Sequence, residues 1–347
     1  MEDGKYVEGS LWYYAPNKVA PVIFAFLFSI SMFWHFYQCI RYKCWKVTGI
    51  FPWAALLFVV GYILREIGAF NYDNVPIFIS SLVFIYAAPP IYELANYFIF
   101  SRLLYYIPHH TPIHPGRVLS TFGFISTIIE TLNANGAALV ANTTLPQQKQ
   151  DTGKALLKSA LILQLVVLSC FILLAATFHR RCRAAGLAPR NLVIPLRILY
   201  ISSALIGIRT LFRTVEYFSI SSLSLGVSAE SLGLPSPLVR YEWFFWVFEG
   251  SLMLINTFLL NAWHPMRYLP RNHRVYLESD GVTEVEGPGY RDRRKWYVTF
   301  LDPFDVGGML RGRRGGKSSG RFWVGNVEAR GEEGEGKGGG DGDAGRV

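Results

Sequence analysis

The stretch RTLFRTVEYF carries Arg209, Arg213 and Glu216 inside an otherwise apolar run. At about 100° per residue the three fall within roughly 60° of one another on a helix. Other ionisable and amide side chains also interrupt apolar runs: Arg65 and Glu66, then Glu93, Asn96 and Arg102, then Glu130, Asn133 and Asn135, then Gln164, Arg197, Glu242, Glu249 and Asn256. A charge in the middle of a membrane costs about 2.5–3.5 kcal/mol on insertion scales, so such groups pair with one another or face a polar interior. The chemistry this set offers is charge pairing and the holding of a polar head group. The expected pairs are Arg213 with Glu216 or Glu249, and Arg65 with Glu130 or Glu66. The structural alternative is that the same groups only bind helix to helix.

The histidines offer less. His110-Thr111-Pro112-Ile113-His114 spaces two imidazoles four apart, but Pro112 and Pro115 argue for a surface loop over a regular zinc-binding helix. His35 lies within an apolar run and His264 follows one, with no carboxylates gathered at their depth. No metal site, catalytic nucleophile or cofactor is expected, and no nucleotide-binding motif is visible.

The elements that must position these groups are membrane spans. Of 347 residues 51% are hydrophobic and 17% charged, against roughly 25% charged in soluble domains. Seven runs reach the length of about 20 residues that a span needs, at 18–40, 48–70, 77–106, 117–140, 154–178, 192–218 and 240–263. The sequence therefore predicts an all-α polytopic membrane protein with seven transmembrane helices, in three parts: a short extracellular tail at 1–17, the helical domain at 18–263 and a cytosolic, largely disordered tail at 264–347. Ala88-Pro89-Pro90 predicts a kink or break in the third span. TLNANGAA makes the fourth the least apolar, tolerable where it faces protein or water.

The loop charges alternate. Arg41, Lys43 and Lys46 join the first two spans, and Arg180, Arg181, Arg183 and Arg190 join the fifth and sixth. Loops 71–76 and 219–239 hold no Lys or Arg. The positive-inside rule then places the N-terminus outside and the C-terminus in the cytosol, with Asn142-Thr143-Thr144 as an outside sequon. From Pro270 on, 14 Lys+Arg stand against 13 Asp+Glu, so the net charge of +9 lies mostly beside apolar runs. That pattern is an orientation signal and argues against nucleic acid as a partner. KWYVTFLDPF, at 295–304, is an apolar island that suits a membrane surface or a cytosolic partner of the tail. Cys44 and Cys182, near span ends, are either free thiols or palmitoylation sites, and no extracellular disulfide is expected.

A retinal protein needs a lysine in the seventh span, and 241–263 has none. The third span ends SRLLYY and the seventh NAWHPM, without the two motifs usual in G-protein-coupled receptors. What the chain resembles is the fungal RTA-like, or lipid-translocating exporter, family associated with aminocholesterol resistance. The resemblance covers roughly residues 13–268. It rests on Tyr14-Ala15-Pro16 and His35, Gly61-Tyr62-Ile63-Leu64-Arg65, Ala88-Pro89 followed by Tyr97 and Arg102, Gly153 and Gln164, Arg209 with Arg213 and Glu216, and Glu242 with Glu249 and His264-Pro265. The chain departs from the family at Phe58, where the pattern has Glu. It departs again at Ser126, Asn133 and Gly136-Ala137-Ala138, where the pattern has Asp, Gln and Gly-Gly-Gly. It is thus a divergent member, with Glu66 and Glu130 as substitute charges.

The resemblance implies translocation or export of amphiphilic lipids such as sphingoid bases, resistance to toxic amphiphiles and a multi-pass location, in the plasma membrane before an internal one. The partners implied are membrane lipids and amphiphilic small molecules. Arg65, Glu130, Asn133, Gln164, Arg209, Arg213, Glu216, Glu242 and Glu249 are the residues expected to line the path. Ala88, Pro89, Tyr97, Arg102, His264 and Pro265 are expected to shape the bundle. The alternative is a seven-helix lipid or stress sensor that signals through its tail. If the charged stripe faces the interior, Arg213→Ala will lower folded yield or transport far more than Arg183→Ala in the loop, as measured by detergent-solubilised yield and flux in vesicles.

Overall fold

The computed structural model describes residues 10–12, 14–71, 73–113, 115–141, 145–223, 237–272, 274–278 and 281–286. The sequon, His114, most of loop 219–239 and the island at 295–304 lie outside them.

Among the described residues the chain builds seven long helical segments: Ala20–Tyr42, Ile50–Phe70, Val75–Tyr106, Pro115–Ala141, Gln147–Ala184, Arg190–Leu223, and a seventh made of Trp243–Phe245, a π-helical turn at Trp246–Ser251 and Leu252–Ala262. Six are long and apolar enough to cross a membrane. The fourth, Pro115–Ala141, is not among the six, as its TLNANGAA run anticipates. The chain is a multi-pass membrane protein.

Local chemistry sets the boundaries. The first helix has Pro21 in its opening turn and ends where Lys43 takes φ 51°, a left-handed cap. Asn74 caps the third by accepting from the Ile77 N–H at 3.2 Å. Pro89 and Pro90 lie within one helix that runs unbroken from Val75 to Tyr106, so of the expected kink or break it is the break that does not occur. Two helical hydrogen bonds are missing there, and the buried Ile85, Ala88 and Tyr92 hold the turn in the core.

Consecutive helices pack side by side from first to seventh, the seventh returns to the first, and the third also meets the sixth. The first helix shows why the bundle is stable in lipid. Ser31, His35 and Gln38 are buried, while Phe26 and Phe33 are 65% and 66% exposed. Polar groups inside and large apolar groups outside reverse the soluble pattern. Within the bundle, Phe28, Phe58 and Tyr62 stack, with Phe28 and Phe58 centroids 4.4 Å apart. Tyr97, Phe122 and Phe171 form a second aromatic group.

The folded part runs past His264. Val275–Leu277 and Glu284–Glu286 pair antiparallel, with Tyr276 opposite Val285. The Tyr106 hydroxyl donates to Glu284 at 2.7 Å, and Arg102 donates to the Pro270 carbonyl at 2.8 Å. Cys44 is buried against the Thr48 hydroxyl at 2.8 Å and Cys182 is also buried, which withdraws both thiols from an acyl chain.

The fourth and fifth helices touch at two glycines. A Cβ on Gly153 would stand 2.9 Å from the Gly136 carbonyl, and one on Gly136 would stand 2.9 Å from the Gly153 carbonyl. Backbone cannot yield there, so Gly153→Ala will destabilise the protein by about 1–3 kcal/mol, read as a lower melting temperature in detergent. Gly186→Ala, where no neighbour lies within 4 Å but φ is 73°, reports the separate cost of backbone strain.

Candidate functional site

The polar side chains assemble into layers inside the bundle, around the third, sixth and seventh helices, with the first, second and fifth helices each adding members. The layer nearest the chain's N-terminal segment centres on Arg65. Its guanidinium donates to Glu242 at 2.9 Å and to the Tyr14 hydroxyl at 3.3 Å. The other carboxylate oxygen of Glu242 accepts the Asn17 backbone N–H at 2.9 Å. Three rings enclose the cation, with Phe245 at 4.1 Å, Trp246 at 5.1 Å and Trp12 at 5.6 Å from its carbon. Arg65 is thereby 1% exposed, with its charge met by Glu242 and by aromatic faces. Burial pushes the Tyr14 phenol above its usual range, against the pull of Arg65, so it stays a neutral hydroxyl.

Arg65 does not pair with Glu130 or Glu66. Glu66 is the next residue along and points about 100° away, while Glu130 lies within electrostatic range of Arg209 and Glu93. The true partner is at the other end of the chain, which spacing within a helix cannot reveal.

The second layer lies deeper on the seventh helix. Arg209 grips Glu249 with two nitrogens, at 2.9 Å to each oxygen from Nε and 2.6 Å from Nη2 to Oε1. Both are buried, Glu249 fully. The π-helical turn presents Glu249 to Arg209, and such turns concentrate at functional positions. Gly250 follows in the same turn, where a Cβ would meet the Phe24 ring at 2.9 Å and the Tyr62 hydroxyl at 3.1 Å. One turn along the sixth helix, Arg213 pairs with Glu216 as expected and covers the Tyr86 ring at 3.8 Å.

The third layer was visible as residues but not as a site. Glu93, from the third helix, accepts from the Tyr97 hydroxyl on one oxygen and from Gln164 Nε2 at 3.2 Å on the other. Asn96 and Ser202 exchange hydrogen bonds at 2.9 and 3.2 Å. Beyond them Thr257 receives the Tyr92 hydroxyl at 2.8 Å and meets Ser31 at 2.7 Å and His35 at 3.2 Å. Asn261 Nδ2 donates to Ser31 at 2.5 Å and Gln38 donates to the Asn261 carbonyl at 2.7 Å. His264 is fully buried, stacked on Tyr42. Sequence reasoning noted Glu93 without placing it in the path and passed over Thr257, because a lone acid or a hydroxyl in an apolar run carries no spacing signal. Among the described residues no group of three or more His, Cys, Asp or Glu could hold a metal.

Residues 51–272 match the family described as RTA1 like protein. Over 293 residues the chain is 45% identical to a lipid-translocating exporter-like protein of Leptosphaeria maculans, covering 82% of this chain and 56% of that one. A protein with the same description from Ajellomyces capsulatus is 30% identical, over 74% of this chain and 80% of its own. At 24% identity the chain also resembles protoporphyrin uptake protein 1 of Saccharomyces cerevisiae, over 71% and 88%. The chain belongs to the RTA1-like family of multi-pass membrane proteins. It spans about 56% of the length of its Leptosphaeria relative. No solved structure matches it.

The Arg209–Glu249 pair gives a stability prediction. Glu249→Ala strands a guanidinium in the core and will cost about 3–5 kcal/mol, while the double change Arg209→Met with Glu249→Leu will recover most of it. Thermal unfolding in detergent reads both.

Proposed function

We propose that this chain moves amphiphilic lipids across the membrane, with all seven helices spanning it, the N-terminus outside and the C-terminus in the cytosol. The observation that carries this reading is the continuous series of polar layers, from Arg65–Glu242 to His35–Thr257, inside a bundle whose outer surface is apolar. A charged head group crossing about 30 Å of hydrocarbon needs such layers, because each replaces hydration at one depth. The names of the Leptosphaeria and Ajellomyces relatives as lipid-translocating exporter-like proteins support the same reading. Arg181, which donates to the Thr111 carbonyl at 3.2 Å, and Arg102, held on Pro270, crowd the His264 end, in keeping with a cytosolic face.

The Arg65 layer suggests what the head group carries. A carboxylate flanked by Trp and Phe faces is an ammonium site. In this reading the guanidinium of Arg65 occupies it, and the amine of a sphingoid-base-like lipid takes its place at Glu242. The amine then passes to Glu216 and Glu249 as their arginines swing away, while Glu130, Asn133 and Gln164 hydrate it on the fourth- and fifth-helix side. The acyl tail stays in lipid throughout. Handling of toxic amphiphiles at the plasma membrane would account for drug resistance, and the tail would meet any cytosolic partner.

Purified protein in liposomes will speed the crossing of a fluorescent sphingoid base between leaflets. Glu216→Gln and Glu249→Gln will each lower that rate at least about tenfold, a loss of some 1.4 kcal/mol or more at the barrier. Folded wild-type protein that leaves the rate at the protein-free value would defeat this reading and favour a sensor acting through its tail.

A further inference from the structure

Three carboxylates in the bundle face an arginine: the buried Glu242 has Arg65, the buried Glu249 has Arg209 and the partly buried Glu216 has Arg213. Glu93 is different. It is 3% exposed, sits midway along the third helix, and makes no ion pair among the described residues. Its two hydrogen-bond donors, Tyr97 and Gln164, are neutral.

The charges around it come from each helix that packs on the third. The fourth contributes Glu130, a second acid within electrostatic range. The fifth contributes only the Gln164 amide. The sixth contributes Arg209, whose side chain is already bound on two nitrogens by Glu249 of the seventh. The second helix meets the third through Phe58 and Tyr92 and adds no charge to Glu93 among the described contacts. An isolated carboxylate in so low a dielectric takes up a proton in place of bearing its charge. Its surroundings suit both forms. The ionised group accepts from Tyr97 and from the Gln164 NH2, and the protonated group donates to the Gln164 oxygen after a half-turn of that amide.

We propose that Glu93 is a proton-binding site that couples transport to proton movement, exchanging one proton for one cationic head group. This inference rests on the translocation reading. When an ammonium arrives from the Arg209–Glu249 layer, the carboxyl O–H bond breaks, the proton leaves to water and the carboxylate pairs with the ammonium. When the lipid moves on, Glu93 takes a proton from water again. The core holds no net charge in either state, and no co-reactant beyond water and the proton is needed.

The test uses a fluorescent sphingoid-base analogue with a quaternary ammonium head, whose charge does not titrate and which therefore carries no proton itself. Liposomes hold the full-length protein and a trapped pH dye, with protein-free vesicles beside them. A one-unit pH gradient will drive the analogue against the proton flow to about a tenfold difference between leaflets, the factor for one-for-one exchange, and adding the analogue without a gradient will shift internal pH. Glu93→Gln will abolish both effects, and Glu93→Asp, which keeps the acid, will retain proton flux. Movement of the analogue by wild type with no pH response overturns this inference and leaves translocation standing. So does a glutamine variant that keeps the wild-type pH response. No movement under any gradient overturns translocation and this coupling together.

Discussion

The fold depends on one constraint: a charge inside this bundle must find its complement without water. Arg209 and Glu249 meet it at 2.6 Å, both buried. The sixth and seventh helices are therefore held in one register, since a slip of a single residue would turn one side chain by about 100° and strand both. Arg65 and Glu242 tie the second helix to the start of the seventh in the same way, and bring the N-terminal segment with them through Tyr14 and Asn17. The apolar packing between these points fills space, but it would tolerate sliding that the ion pairs do not.

Between the charged layers the seam is graded. Charge pairs, with Arg209–Glu249 bidentate, stand at one end, a carboxyl held by neutral donors stands in the middle, and a net of hydroxyls and amides around Thr257 stands at the other. Each step exchanges strong, exclusive contacts for weaker, shared ones. A hydroxyl such as Thr257 both donates and accepts, so its partners can be traded singly. A bidentate arginine must be released as a unit.

Much of this was legible in the sequence, for particular reasons. The helices were legible because about 20 apolar residues in a row permit little else, but the fifth, Gln147–Ala184, overruns its apolar run at 154–178 at both ends because its first and last turns are polar. Arg213 with Glu216 was legible because three residues on a helix are neighbours. The partners of Arg65 and Arg209 were not, because Glu242 is 177 positions and Glu249 40 positions away, and nothing local encodes that proximity. Pro89 and Pro90 were legible as a kink or break, and the helix runs through them unbroken with Ala88 and Tyr92 buried beside them. Glu93 looked ordinary because its singularity is a missing partner, and absence of a partner is a property of the fold.

The wide turn at Trp246–Ser251 has a mechanical corollary. It stores one residue beyond what regular winding would hold, so it acts as slack in the seventh helix. Winding that slack in would twist the half carrying Glu242 by about 100° relative to the half carrying Thr257 and Asn261, with Glu249 in the turn between them. One small rearrangement of backbone hydrogen bonds would then reset both halves of the seam in a single stroke, like the escapement of a clock.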